Sequence, residues 1–238
     1  MIHQNHRPWQ FFSGSALKIL AMICMLTDHI ACFLLADTYP FTDPLFVVGN
    51  TAVTPYYLMR TVGRLAFPLY CFLLTEGFVH TRNRKRYGIT LAVFALISEL
   101  PWNFVHGGGW LYASQNVFFT LLLGYLALCL IEAPKKHVAL EVLGFCAIFA
   151  VAYFLKADYG YMGVAVIIAM YLLRKQALPR AAVCTCLFSA TWRAGLAFVP
   201  IAFYNGERGC IRGKIGKYIC YAFYPLHLLV LGMIKFGL

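Results

Sequence analysis

Apolar residues run through this chain in blocks long enough to cross a bilayer, separated by short polar punctuation. A transmembrane helix needs about 20 predominantly apolar residues. Eight candidate blocks are present: Leu17 to Ala36, Arg60 to His80, Tyr87 to Val105, Asn116 to Ile131, Val138 to Leu155, Tyr161 to Leu173, Ala181 to Phe203, and Gly216 to Phe236. The sixth is short. The pattern predicts an all-α integral membrane protein, a polytopic bundle of about eight transmembrane helices. Residues 1–16 form a polar N-terminal segment on the cytoplasmic side, with His3, His6 and Arg7 and no small-residue cleavage site after it. The first block is therefore read as a retained span. Residues 17–238 show no linker, low-complexity tract or internal repeat, which implies a single domain. The longest interruption, Asp37 to Met59, contains Pro40, Pro44 and Pro55, as a lid or a re-entrant segment would.

Composition supports the same class. Of 238 residues, 61% are apolar or aromatic and 12% are charged, against about 25% charged in a soluble domain. Disorder is excluded by the apolar content, and a nucleic-acid reader by the lack of polar surface for a basic face. The net charge of +11 is largely topological. With the N-terminus cytoplasmic, twelve cations fall inside (Arg7, Lys18, Arg82, Arg84, Lys85, Arg86, Lys135, Lys136, Arg174, Lys175, Arg180 and Lys235). Seven fall outside: Arg60, Arg64, Lys156, Arg208, Arg212, Lys214 and Lys217. This balance favours an N-in/C-in arrangement, with Arg82 to Arg86 contacting anionic lipid. The Glu207–Lys217 stretch is then basic on the wrong side. Either it acts outside or the seventh span is broken. The nine cysteines form no C-x-x-C pair, so neither a disulfide nor a structural metal is expected.

Ionisable side chains within spans are costly and mark function by default. Lys18, Asp28, His29, Arg64, Glu76, Glu99, Arg193 and His227 are such residues. At 1.5 Å per residue, His29, Glu99, Arg64 and His227 converge on the middle and outer half of the bilayer. Lys18 and His29 are eleven residues apart, close to three turns, and so share one stripe about 16 Å long. A cation at the cytoplasmic mouth and an imidazole at the midplane suit a long ligand with an anionic head and a reactive far end, the shape of a coenzyme A thioester. Adjacent helical residues do not face each other, so Asp28 is expected to pair with a neighbouring cation such as Arg64 and not to orient His29. Arg60 and Arg64 share a face, as do Glu76 and His80.

These residues lie in segments that resemble a known family. The first span, Lys18-Ile-Leu-Ala-Met-Ile-Cys-Met-Leu-Thr-Asp28-His29, is similar to the TraX family of conjugal-transfer membrane proteins. So are Gly63-Arg64-Leu65-Ala66-Phe67-Pro68-Leu69, Asn116 opening the fourth span, Tyr159-Gly160-Tyr161-Met162-Gly163, Tyr204-Asn205-Gly206-Glu207-Arg208-Gly209, and Phe223-Tyr224-Pro225-Leu226-His227. The resemblance runs in order from about residue 15 to 238. It implies a transmembrane acyltransferase-like domain that acetylates a pilin N-terminus, or a related acceptor, from acetyl-CoA. It also implies relation to wider membrane acyltransferases, in which a basic residue, ten spacers and a histidine mark the first span.

The resulting expectation is an acyltransferase with acetyl-CoA as co-substrate and no resident cofactor or metal. His29 would act as base or acyl relay, since imidazole is basic near neutrality. Asp28 and Arg64 complete the catalytic group, with Arg64 stabilising an oxyanion or fixing Asp28. Lys18 would attract the phosphates of coenzyme A, and Glu99, Asn116, Tyr224 and His227 would line the acceptor side. The expected partners are membrane lipids, acetyl-CoA and a pilin, peptide or glycan acceptor, with no nucleic acid. Two other classes remain: a proton-coupled transporter, which buries similar charges, and a non-catalytic assembly subunit, which fits the topology but has less reason to bury so many charges.

Overall fold

Ser13 starts the first helix, its Oγ accepting from the Ala16 backbone N–H at 3.2 Å. The structure is a computed structural model that describes residues 9–107, 109–134 and 137–237; residues 1–8 of the N-terminal segment lie outside these. Helix α1 (Gly14–Ile30) runs on into a π-helical turn, Ala31–Leu35. The long connection after it is an exposed hairpin, β1 (Phe46–Val48) paired antiparallel with β2 (Thr51–Val53). Gly49 in its turn has φ +59°, a conformation glycine adopts without steric cost. The chain therefore does not re-enter the bundle here, and neither strand borders the cavity described below.

The second span begins earlier than the apolar pattern indicates. α2 (Pro55–Gly63) is capped by Thr54, and α3 (Ala66–His80) continues in the same direction after a break at Arg64 and Leu65. Pro68 is the cause: it lacks an N–H, and its ring would clash with the carbonyl four residues back, that of Arg64. α4 (Arg84–Gly107), α5 (Val117–Ile131), α6 (Val138–Phe154) and α7 (Gly160–Leu172) follow as successive antiparallel passes. Their ends are latched by polar pairs. Tyr125 donates to the Arg84 carbonyl at 2.6 Å, Arg84 approaches Glu132 at 3.6 Å, and the Tyr171 hydroxyl donates to Glu132. Large apolar residues such as Ile23, Leu96, Leu143, Leu229 and Val230 are exposed on the outside of the bundle. Four helical stretches, Gly14–Leu35, Pro55–His80, Arg84–Gly107 and Gly213–Phe236, are long and apolar enough to cross a membrane. The protein is an all-α membrane bundle.

The expected seventh span is not one helix. α8 (Ala177–Leu187) gives way to a 3-10 segment, Ser189–Ala197, with non-helical Thr191 inside it, and then to the short α9 (Phe198–Ala202). Arg193 at its far point donates to Thr61 Oγ1 on α2 at 3.0 Å. The chain then returns to where it started: Phe12 N donates to the Phe203 carbonyl, Gly14 N to that of Glu207 and Ser15 N to that of Arg208. Residues 177–203 thus enter and leave the bundle at one end, the end at which α1 begins.

This return corrects the expected topology. α10 (Gly213–Phe236) starts at the inner end, with Arg86 Nη2 on Tyr218 Oη at 3.5 Å, and finishes beside the far end of α4, where Lys235 Nζ donates to the Val105 carbonyl at 3.0 Å. α10 is therefore parallel to α1 and α4, so the chain ends on the face opposite its start and the C-in assignment fails. The basic Glu207–Lys217 stretch lies at the same end as Ser13. The charge asymmetry becomes sharper: among the described residues twelve cations now sit at the inner end, and Arg60, Arg64, Lys156, Arg193 and Lys235 lie elsewhere. A variant retaining Cys210, which is exposed, as its only thiol should react with an impermeant maleimide from the cytoplasmic side. A tag after residue 238 should be accessible from the opposite side. Labelling of both from one side would contradict the parallel arrangement.

Candidate active site

α1 carries Asp28 and His29 in succession, so the two side chains meet different neighbours. His29 faces α10. Its Nδ1 lies 2.6 Å from His227 Nε2, and the rings are stacked with centroids 4.9 Å apart. His227 places its Nδ1 2.8 Å from the Phe223 carbonyl oxygen. A carbonyl only accepts, so the His227 Nδ1 carries a proton, and with both rings neutral its Nε2 accepts from His29 Nδ1–H. Nε2 of His29 is then the nitrogen left with a free lone pair.

His29 borders a cavity of about 190 Å³. A single water needs about 10–15 Å³, so the space is large enough for a small organic group. The π turn directly after His29 places Phe33 on the wall, edge-on to His106 at 4.9 Å. Such turns are frequent at functional sites because they redirect side chains within a helix. His106 has its Nδ1 2.9 Å from the Trp102 carbonyl oxygen, which by the same reasoning leaves its Nε2 unprotonated when the ring is neutral.

Asp28 faces α2. Its Oδ2 accepts from Arg60 Nη1 at 2.7 Å. The expected partner, Arg64, is one turn further on; it is near Asp28 but hydrogen-bonds Tyr159. Gly63 makes the approach possible, because a Cβ there would lie 2.1 Å from Asp28 Oδ1 and 2.3 Å from its Cβ. The other carboxyl oxygen, Oδ1, is buried and has no hydrogen-bond partner among the described residues.

The last wall comes from the loop between α6 and α7. Tyr159 has φ 63°, a left-handed conformation that costs a non-glycine residue roughly 1–2 kcal/mol. The segment is held there by Asp158 N donating to the Gln115 carbonyl at 2.9 Å, Gln115 N donating to that of Lys156 at 3.2 Å, and Thr120 Oγ1 donating to the Asp158 carbonyl. Tyr159 stacks on Phe67 with centroids 3.7 Å apart. Burial pushes the Asp158 carboxyl up to about 6, while the Arg64 guanidinium pulls it the other way.

Of the residues expected at the site, Asp28, His29, Arg64 and Tyr224 line the cavity, and His227 joins them through His29. Glu99 and Asn116 are placed differently. Asn116 caps α5, its Oδ1 accepting from Phe118 N at 3.0 Å, and donates from Nδ2 to Glu99 at 2.6 Å and to the Ala95 carbonyl at 2.9 Å. This pair secures a helix start, and neither residue borders the cavity. Lys18 is also away from it, near Cys220 on α10. Arg193 and the Glu76–His80 pair lie apart as well. Arg60, Trp102, His106, Asp158 and Tyr159 are cavity residues that the span-by-span search for intramembrane charge did not assign to the site. Two of them carried a signal: Arg60, on one face with Arg64, and Tyr159, the first residue of the Tyr159–Gly163 motif.

Gly63→Ala should force Asp28 off α2 and lower stability by on the order of 1–3 kcal/mol, read as a fall in thermal unfolding temperature in detergent. Asn116→Ala should cost about 1 kcal/mol through the lost cap.

Comparison with known proteins places the chain in a family. The model of the family described as TraX protein matches residues 13–235. A Dichelobacter nodosus protein named "Probable fimbrial assembly protein FimC, serogroup H1" is 32% identical over 250 residues, covering 92% of this chain and 94% of that protein. The "Uncharacterized protein RP591" of Rickettsia prowazekii (strain Madrid E) is 25% identical over 169 residues, covering 62% of this chain and 59% of that one. No solved structure matches the chain significantly. With the family's match running from the start of α1 to the last turn of α10, through every helix that borders the cavity, the chain belongs to the TraX family.

Proposed function

We propose that this protein is an acyltransferase of a bacterial inner membrane that moves an acetyl group from acetyl-CoA to an extracytoplasmic or membrane-borne acceptor. The observation that carries the proposal is the chain from the Phe223 carbonyl through His227 to His29, which reserves His29 Nε2 as a base at a cavity. His29 Nε2 takes the proton of the acceptor amine or hydroxyl as its nitrogen or oxygen attacks the thioester carbonyl carbon. The imidazolium formed is stabilised by its Nδ1–H bond to His227. Collapse of the tetrahedral intermediate breaks the carbon–sulfur bond, and the proton passes to the departing thiolate. Arg64 and the Tyr159 hydroxyl are the cavity donors available to the developing oxyanion, while Asp28 keeps Arg60 in place.

The concentration of cations at the end where α1 begins supports an inner-membrane setting with that end cytoplasmic. The name of the Dichelobacter relative, a fimbrial assembly protein, favours a pilin-type subunit among the possible acceptors.

Incubating the purified protein with acetyl-labelled coenzyme A should give slow thioester hydrolysis alone and transfer when an acceptor is present. His29→Ala should lower the rate at least about 100-fold. His227→Phe, which removes the acceptor for His29 Nδ1–H along with the donor to the Phe223 carbonyl, should lower kcat about 10-fold to 100-fold with little change in KM. Wild-type turnover in His29→Ala would overturn the assignment. Solute flux in sealed vesicles without thioester turnover would identify a transporter, and neither activity an assembly subunit.

A further inference from the structure

α1 and α10 lie side by side and parallel, and each carries a cation below its histidine. On α1, Lys18, Met22, Met25 and His29 follow one another at spacings of four, three and four residues, so they form one stripe. On α10, Lys217, Cys220, Tyr224 and His227 follow at three, four and three, forming another. Lys18 lies about 16 Å below His29 and Lys217 about 15 Å below His227. The histidines are bonded to each other, and Lys18 lies within electrostatic range of both Lys217 and Arg208, as Lys217 does of Arg86.

Cations from α1, α4, α10 and the 203–213 loop are therefore gathered around Lys217, within electrostatic range of it. Like charges so placed repel one another, and Lys18 and Lys217 are only partly exposed. Solvated surface cations would splay apart, but the loop backbone and the Lys217 and Arg86 side chains are held. The loop bearing Arg208 is sewn to the start of α1 by Gly14 N on the Glu207 carbonyl at 2.7 Å and Ser15 N on the Arg208 carbonyl at 2.9 Å. Ser15 Oγ adds two bonds, donating to the Arg208 carbonyl at 2.7 Å and accepting from Ile211 N at 2.8 Å. Gly209 permits this closeness, since a Cβ there would lie 2.3 Å from Ser13 Oγ. The Lys217 ammonium is surrounded by the rings of Tyr87, Tyr218 and Tyr221 at 5.5 to 5.9 Å, and Arg86 is tethered to the Tyr218 hydroxyl. A fixed cluster of one sign is stable when an anion sits in it.

We infer that Lys18, Arg86, Arg208 and Lys217 form a binding site for phosphate esters at the inner end of the α1–α10 seam. Its ligand class is a phosphorylated molecule approaching from the cytoplasmic face. Resting on the acyl-transfer reading, that ligand is the nucleotide portion of the acyl donor, whose extended arm would then run along the two stripes towards His29. An anionic lipid headgroup offers the same phosphate chemistry and is the other source.

The test is direct titration of coenzyme A into the full-length protein in nanodiscs of phosphatidylcholine, with a parallel measurement of phosphatidylglycerol retained through purification. Lys217→Gln and Arg208→Gln should each weaken coenzyme A binding about tenfold, and Lys217→Arg should restore it, which a folding defect would not do. Wild-type affinity in both glutamine variants would overturn the site, as would loss that Lys217→Arg fails to recover. If the wild type binds no coenzyme A but retains phosphatidylglycerol in a manner that Lys217→Gln abolishes, the phosphate site stands with lipid as its ligand. The donor assignment above then fails independently. If it binds neither, the site is overturned.

Discussion

The contact between His29 and His227 joins residues 198 positions apart in the chain, and the rest of the arrangement is organised around it. An imidazole in an apolar bundle must find a partner for its N–H or bear the cost of an unsatisfied donor. Here His227 accepts the N–H of His29, and the Phe223 carbonyl accepts that of His227. That sequence of bonds fixes the tautomers, and the tautomers decide which nitrogen can act as a base. It also ties α1 to α10, the first and last helices of the bundle, so the site exists only when the whole chain is in place. The free lone pair on His29 Nε2 and the closure of the fold rest on the same hydrogen bond.

Asp28 shows the complementary constraint. A carboxylate inside the bundle is tolerated when a cation meets it, yet breaking such a pair costs more than forming it gains. Arg60 supplies the charge, and Gly63 supplies the space by having no side chain. The Pro68 break between α2 and α3 then lets the Arg64 end of α2 turn towards Tyr159 while Arg60 stays on Asp28. Two arginines one turn apart are thereby given different tasks.

Much of this was legible in the sequence because intramembrane charge is costly and therefore informative. His29, Asp28 and Arg64 were found from their position in apolar runs, and the eleven-residue interval correctly placed Lys18 and His29 on one face, both towards α10. The choice between Arg60 and Arg64 for Asp28 was one turn off, since helical phase alone does not say how far two helices are shifted along each other. Depth did not separate Glu99 from the cavity residues, because depth ignores the direction in which a side chain points, and Glu99 points to the cap of α5. Asp158 and His106 lie outside the span cores, at a loop and at a helix end. What brings them in is the packing of those ends, which no local pattern encodes.

The largest departure, the re-entrant course of residues 177–203, has the widest consequence. A hydropathy profile counts an apolar stretch that enters and returns as if it crossed, and each such miscount inverts the sidedness of everything after it. Had the segment crossed, α10 would run antiparallel to α1. Lys217 and Arg208 would then lie at the far end, away from Lys18, and His227 would be the sole shared feature of the two helices. The basic stretch that looked misplaced in the sequence was thus evidence about parity. Twelve cations at one end among the described residues fit the positive-inside tendency, and the returning hairpin is what gathers them there. The same parity sets two lysine-to-histidine stripes side by side in the same direction. That is the one orientation in which a ligand gripped by its anionic end from the cytoplasm would present its other end to the paired imidazoles.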